Sequence, residues 1–463
     1  MSKHELWELQ QMQSLPLRAK VQMTITRIRA WVEEYGEDGV YIAFSGGLDS
    51  RVLLHIARSI YPDLQATFSD TGLEFPEIRS FVKSFDNVEW LKPKISFKEV
   101  IQKYGYPFIS KEVSECVDGA RKYIKILTDR QTDRATLSIL VQQSYWNRSI
   151  SEISEEERIT STNTKRAKSL ELADYSAIQE KSRGGTTTSI VNSEDLENMP
   201  IRMARLMGML TKDNKKMENI PEYDRSMYSQ ERYKFLLEAP FNISSKCCNV
   251  MKKQPFKAYE RRTGRKPITA QMADESRLRT QQWMNNGCNG FDMKHPISNP
   301  MSFWTKQDVL LYAKINNLDI CSVYGKIVKD YKAMGQVEGQ LSFADLMKSS
   351  EQEIFELGKV ILKTTGCDRT GCVFCGYGCH LEKQRPNRFE LIDIMSNPNL
   401  RDYCFRGGAF DESDGLWKPD DRGLGYWFVI KWINIHGGFK IYIPEYERYE
   451  KEYGNEETRK YLE

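Results

Sequence analysis

Ser45–Gly46–Gly47–Leu48–Asp49–Ser50 has the composition of an anion-binding loop. Serines and glycines let backbone N–H groups face an anion, and a helix N-terminus behind them adds partial positive charge. The loop has neither the lysine nor the longer glycine spacing of a Walker A loop. Asp49 stands where a Walker-type loop carries its lysine, and an acid inside an anion loop points to a metal ion shared with phosphates. The plainer reading makes Asp49 or Ser50 the N-cap of a helix. A second cluster, Asp70–Thr71–Gly72–Leu73–Glu74–Phe75–Pro76–Glu77, places the Asp70 carboxylate where it could meet ribose hydroxyls, an adenine amino group or a metal.

Ten cysteines give the other chemical signal. Cys247 and Cys248 are adjacent, and Cys367, Cys372, Cys375 and Cys379 form a C-x4-C-x2-C-x3-C run followed by His380. In a reducing compartment, clustered cysteines read as metal ligands before disulfides. Four thiolates commonly hold an iron–sulfur cluster; the local set Cys367, Cys372, Cys375 and Cys379 equally suits zinc. The isolated Cys116, Cys288, Cys321 and Cys404 read as small buried hydrophobes.

The elements that position these groups follow from hydrophobic patterning. Val40–Phe44 is an apolar run of strand length, and Val52, Ile56 and Ile60 recur at helical spacing behind the loop. Leu64–Ser69 and Asn87–Leu91 read as further strands, so strands and helices alternate as in a parallel sheet. In such a sheet, ligand groups gather at the carboxyl ends of the strands. Residues 1–36 read as one or two helices with Val21, Ile25, Ile28 and Val32 on a buried face, and Thr305 caps a helix that has Asp308 in its first turn.

SGGLDS followed by DTGLEFPE resembles the PP-loop ATP pyrophosphatase superfamily, in particular its phosphoadenosine-phosphosulfate (PAPS) reductase branch. The resemblance implies an α/β fold with a Rossmann-like parallel sheet. It implies that Ser45, Gly46, Gly47, Asp49 and Ser50 hold phosphates and that Asp70, Thr71 and Gly72 border the nucleoside. Ala270–Arg277 resembles the family's G-x-R-x-x-E-S segment, with Gln271 in place of its Gly and Ala273 near its Arg. Glu275 and Ser276 would be the matching E-S pair of the nucleotide site. Lys246–Cys247–Cys248 resembles the vicinal-cysteine motif of cluster-bearing sulfonucleotide reductases. Carried over, that motif implies a 4Fe-4S cluster on Cys247, Cys248, Cys372 and Cys375. Adjacent cysteines seldom share one zinc, which favours the cluster over zinc.

The implied reaction is magnesium–ATP chemistry at the α-phosphate coupled to sulfur transfer, with Asp49 or Asp70 near the metal and Lys111 or Arg277 as added cations. One variant resembles the ATP-pyrophosphatase components of DNA phosphorothioation systems. Thiol-dependent reduction of adenylyl sulfate or PAPS is the alternative, although the E-C-G-x-H segment of those reductases has no counterpart here. A non-catalytic nucleotide sensor with structural zinc is the third reading. The implied partners are an adenine nucleotide and a protein donating sulfur or electrons.

Length and composition frame these expectations. The chain has 463 residues, 40% hydrophobic and 28% charged, enough for two or three domains. Residues 1–124 and 235–335 read as the nucleotide-binding core, 125–234 as a helical or flexible insertion, and 336–463 as a Cys-rich C-terminal module. The Ser/Thr-rich stretch 150–198 underlies the insertion. Trp417, Tyr426, Trp427, Phe428 and Trp432 suggest a packed module near the end. No apolar run has the ~18–20 residues that span a bilayer, and the N-terminus lacks a signal-peptide pattern; the expected location is the cytoplasm. Net charge is only +3, but Lys252–Arg279 carries nine Lys or Arg against three acids, which suits polyphosphate or nucleic acid. Arg121, Lys122, Lys125, Arg130 and Arg134 could touch an acidic partner or form a solvated helix face, and the solvated face is the favoured reading.

Overall fold

The computed structural model describes residues 3–129, 199–217, 220–331, 333, 360–382, 387–395 and 398–462. Most of the expected insertion, Arg130 and Arg134 included, lies outside them. The chain forms two compact units. The first comprises Met1–Ser96 and Asn249–Val373, the second Phe97–Cys248 and Phe374–Glu463. The boundary therefore passes through the cysteine run: Cys367 and Cys372 belong to the first unit, Cys375 and Cys379 to the second.

The strands that matter here are β1 (Val40–Ala43), β2 (Ala66–Ser69), β3 (Val88–Leu91), β4 (Phe108–Ile109), β5 (Lys266–Ile268), β6 (Asn289–Gly290) and β7 (Ile297–Ser298). All but β4 build a six-stranded sheet in the first unit, ordered β3–β2–β1–β5–β7–β6. Neighbours are parallel except for the antiparallel β6–β7 pair. This is a Rossmann-like α/β architecture, as the motifs implied. Ile42 pairs with Ala66 on one side and Ile268 on the other, so β1 is central and buried. Central parallel strands read as continuous apolar runs because both faces are covered. The chain steps from β1 to β2 and β3 in one direction and takes up β5 on the other side. The order thus reverses beside β1, where such sheets open a crevice at the strands' carboxyl ends.

Helix α1 (Leu6–Gln13) and helix α2 (Leu17–Tyr35) precede the sheet. The buried face of α2 is formed by Lys20, Thr24, Ile28, Trp31 and Val32, rotated from the expected stripe so that Val21 and Ile25 are only half-buried. The rotation has a polar cause. Lys20 Nζ lies 2.6 Å from Asp308 Oδ2, and Trp304 Nε1 donates to Thr24 Oγ1 at 2.9 Å. Thr305 caps the helix Lys306–Ile315 with a reciprocal bond pair to Asp308, as its sequence indicated.

In the second unit, the helix Tyr426–Gly437 buries Tyr426, Trp427, Phe428, Val429, Ile430, Trp432 and Ile433. A helix apolar almost all round belongs inside a core. β4 pairs in parallel with Gly376–Tyr377. Arg121 departs from the solvated face expected of its helix, Lys111–Asp129. Its guanidinium donates to the carbonyls of Phe241, Leu236, Leu237 and Ala239 and to Asn242 Oδ1. These acceptors offset its desolvation, and burial pushes its pKa down to about 10.

Candidate nucleotide site

β1 hands over to helix α3 (Leu48–Arg58) through the Ser45–Gly47 turn. Gly47 is the N-cap, so neither Asp49 nor Ser50 caps the helix and Asp49 falls in its first turn. Gly46 has φ +72°, and a Cβ there would lie 2.7 Å from Val82 Cγ2 and 2.9 Å from Ile78 Cγ2. Both the backbone conformation and the space demand glycine. Ser45 N–H donates to Ser50 Oγ at 3.2 Å, and Gly47 N–H to Ser45 Oγ at 3.3 Å. Leu48 N–H donates to Tyr324 Oη at 3.1 Å, and that hydroxyl lies 2.8 Å from Thr370 Oγ1. Loop amides thus converge on hydroxyl oxygens at a helix N-terminus, where the dipole favours an anion.

Burial pushes the Asp49 carboxyl above its ordinary value. The charges of Arg369, Arg279 and Lys306 pull it back, while Asp368 adds to the rise. Three cations therefore come within electrostatic range of one loop carboxylate. Arg279 and Arg369 are both held by Glu275, and Lys306 pairs with Asp368. Arg279 lies half-buried, its pKa lowered first by burial and then by Arg369.

Asp70 directly follows β2, is 6% exposed, and has both carboxylate oxygens engaged. Oδ2 accepts from Arg79 Nη2 at 2.9 Å and Oδ1 from Gly72 N–H at 3.3 Å. Thr71 is locked by Glu74, which accepts from its amide at 3.0 Å and its hydroxyl at 2.7 Å. Gly72 takes φ +73° with open space where a side chain would begin.

The expected site residues fall as follows. Ser45, Gly46, Gly47, Asp49, Ser50, Asp70, Thr71, Gly72, Glu275, Ser276 and Arg277 all lie in the first unit. Ser276 caps the helix Arg277–Asn286 by accepting from Arg279 N–H. Arg277 is exposed, and Arg279, two residues on and so on the opposite side of that helix, is the residue in range of Asp49. Lys111 opens its helix in the second unit. Asp368, Arg369 and Thr370 carry no motif of their own in the sequence. With Gly371 they make up the spacer of the C-x4-C pair, where the one local signal is a charged pair inside a metal-like motif.

Cys247, Cys248 and Cys375 all act electrostatically on the Tyr377 hydroxyl, whose pKa is raised first by burial and then by these thiols. Tyr377 Oη donates to Ser244 O at 2.6 Å. Three of the four thiols expected for a cluster therefore gather in the second unit, while Cys372 belongs to the first. Among the described residues, no three His, Cys, Asp or Glu side chains form a group able to hold a metal ion. Burial pushes the Cys379 thiol up to about 12, and the fully buried Cys404 thiol is raised well above its ordinary value. The singletons Cys116, Cys288, Cys321 and Cys404 are all buried, as small hydrophobes should be. Among the described residues, no helix is long and apolar enough to cross a membrane.

Comparison with known proteins agrees with the geometry of the first unit. The chain is 43% identical over 70 residues to an uncharacterized protein of Methanocaldococcus jannaschii, covering 14% of this chain and 17% of that one. It is 30% identical over 101 residues to an adenosine 5′-phosphosulfate reductase of Geobacillus kaustophilus, covering 22% of this chain and 40% of that one. The chain thus spans less than half the length of either relative. Residues 39–138 match the phosphoadenosine phosphosulfate reductase domain, and with the loop and sheet described they place this segment in the PAPS reductase-like branch of the PP-loop superfamily.

Proposed function

We propose that the first unit binds a magnesium–adenine nucleotide on the Ser45–Ser50 loop and reacts it at the α-phosphate, activating an acceptor for sulfur transfer. The observation that carries this reading is the set of three cations, Arg279, Arg369 and Lys306, acting on Asp49 beside the loop amides. Such an array neutralises a polyphosphate while leaving one carboxylate for magnesium. Ser45, Gly46, Gly47 and Ser50 hold the phosphates, while Asp70, Thr71 and Gly72 border the nucleoside. Arg279 takes the part expected of Arg277. An acceptor oxygen attacks the α-phosphorus, the bond to the bridging oxygen breaks, and pyrophosphate leaves with the magnesium. The acceptor's proton passes to water. A hydrosulfide then displaces AMP, its sulfur taking the place of the oxygen that leaves with AMP.

Cys247, which is buried, and Cys248 and Cys375, which are half-buried, all act on the Tyr377 hydroxyl and would be the thiolates that hold an iron–sulfur cluster in donor chemistry. When bound, such a cluster supplies electrons or holds sulfur. Protein purified without oxygen should be brown and contain iron and acid-labile sulfide; colourless protein with stoichiometric zinc would exclude the cluster. Serine variants of Cys372 and Cys379 identify the remaining ligand by which of them loses iron.

Reduction of adenylyl sulfate is the second reading, favoured by the relative named adenosine 5′-phosphosulfate reductase. There a thiolate attacks the sulfate sulfur, AMP leaves, and a thiol reductant releases sulfite. The raised thiols of Cys379 and Cys404 are poor nucleophiles for that step. Incubation with α-labelled ATP and magnesium, against adenylyl sulfate plus a thiol, separates the readings. AMP and pyrophosphate from ATP support the first; AMP from adenylyl sulfate alone supports the second. Nucleotide binding with silence in both assays makes the protein a sensor.

A further inference from the structure

A groove of about 960 Å³ lies in the first unit along the helix Gln254–Thr263, away from the Ser45–Ser50 loop. Its walls are strongly basic. The helix contributes Lys257 and Arg261, the exit from β3 contributes Lys92 and Lys94, and Lys266 and Lys294 flank β5 and β7. All six are exposed or half-exposed, and none forms an ion pair among the described residues. Arg262 and Arg265 also line the groove, paired with Glu89 and Asp38. The one acid among the lining residues is Glu260, and it is held by the Tyr41 hydroxyl at 2.8 Å.

The arrangement is extended rather than convergent. Lys257 and Arg261 are four residues apart and share a helix face. β3 and β7 stand four strand positions apart in the sheet. Lys92 and Lys94 follow the carboxyl end of β3 while Lys294 precedes the amino end of β7, so beyond the lateral separation of about 19 Å at about 4.8 Å per strand they also lie toward opposite ends of the parallel strands. A site for a small anion brings its donors to one point; cations strung over this span suit a chain of phosphates. Tyr259 on the helix is 2% exposed, which leaves the exposed His295 ring as the one aromatic face in the lining, so the cations dominate what the groove offers. Contacts of this kind fix a sugar–phosphate backbone without reading its sequence.

We propose that this groove binds the phosphodiester backbone of a nucleic acid. Its β3 end adjoins the nucleotide site, because the Asp70 amide donates to Leu91 O at 2.8 Å and Ser69 Oγ donates to Met251 O at 3.3 Å. A strand in the groove runs to within one strand position of Asp70.

The test is fluorescence anisotropy of the full chain with labelled oligomers of roughly 20 nucleotides: single-stranded DNA, single-stranded RNA and duplex DNA. About four neutralised phosphates on a single strand give a log–log salt slope of about −2.8, a roughly 50-fold weakening for a fourfold rise in salt. Lys257→Glu with Arg261→Glu should lower the slope by about 1.4 and weaken binding at least about tenfold. The control pair Lys451→Glu with Arg459→Glu, exposed in the second unit, should stay within about threefold. If the groove pair alters thermal melting, Lys94→Glu at the strand exit replaces it. The oligomer bound most tightly names the nucleic acid. Absence of binding to all three, equal weakening by groove and control pairs, or binding of inorganic polyphosphate alone overturns the proposal. Magnesium–ATP binding, measured separately, should be unchanged by these variants, so failure here is distinguishable from failure of the nucleotide site.

Discussion

The Tyr324 hydroxyl lies 2.8 Å from Thr370 Oγ1 and accepts the Leu48 amide at 3.1 Å. Two segments distant in sequence thus meet on the first amide of α3. Gly366 N–H bonds Tyr324 O at 2.9 Å and Cys367 N–H bonds Val323 O at 2.8 Å, which fixes the spacer that carries Asp368, Arg369 and Thr370. The C-x4-C spacing therefore has a structural consequence apart from its thiols: it delivers charge and a hydroxyl to the anion loop.

Tyr324→Phe removes the acceptor for Leu48 N–H, and an unmet buried donor costs about 1–3 kcal/mol. The ligand-free protein should lose stability by that amount in urea unfolding. A phosphate oxygen can satisfy the same amide, so saturating magnesium–ATP should recover most of the loss. An equal loss with and without nucleotide would show that this amide takes no part in binding.

Gly46→Ala combines a left-handed backbone with contacts of 2.7 Å and 2.9 Å to Val82 and Ile78. Strain and overpacking together should cost roughly 1–3 kcal/mol. Gly72→Ala shares the positive φ but meets nothing within 4 Å, so its cost should be confined to the backbone term. Thermal melting of the two variants compares them directly; equal losses would mean that packing against α4 (Pro76–Lys83) contributes nothing.

The sequence made β1, β2 and β3 legible because they are short runs rich in apolar residues and bounded by polar turns, whereas β5, β6 and β7, only two or three residues long, carry no such pattern. Ser45–Ser50 and Asp70–Gly72 were legible for the same reason: glycine at positive φ and acids at strand ends are local demands. Arg279 and Arg369 were not. Nothing local separates Arg277 from Arg279, since which of them turns inward depends on the Ser276 cap and the grip of Glu275. The role of Arg121 was hidden likewise, because its carbonyl partners lie more than 110 residues away. The rotation of α2 depended on the Lys20–Asp308 pair, another long-range contact.

Arg279→Ala and Arg277→Ala test that distinction. A charged hydrogen bond to phosphate is worth about 1.5–3 kcal/mol, so loss of Arg279 should weaken nucleotide binding by roughly 10- to 100-fold. Loss of the exposed Arg277 should change it by less than about threefold. Isothermal titration with magnesium–ATP reads both, and equal effects would return the role to Arg277.

Asp49 ties the loop to pH. Burial raises its carboxyl in the folded protein, so the folded state prefers it protonated. That contribution is fully present below the ordinary carboxyl value and is lost as pH rises through the raised one. Asp49→Asn cannot ionise and escapes the loss. The ligand-free variant should match the wild type in melting temperature at acid pH and exceed it near neutrality, the gap opening as Asp49 ionises. Magnesium binding needs the ionised form, so wild-type affinity for magnesium–ATP should fall with decreasing pH over the same window. The variant should bind weakly at every pH. Higher neutral stability with lost magnesium dependence marks a carboxylate kept for a ligand at the expense of the fold; a variant less stable than wild type at neutral pH would instead make Asp49 a structural partner of Arg279, Arg369 and Lys306.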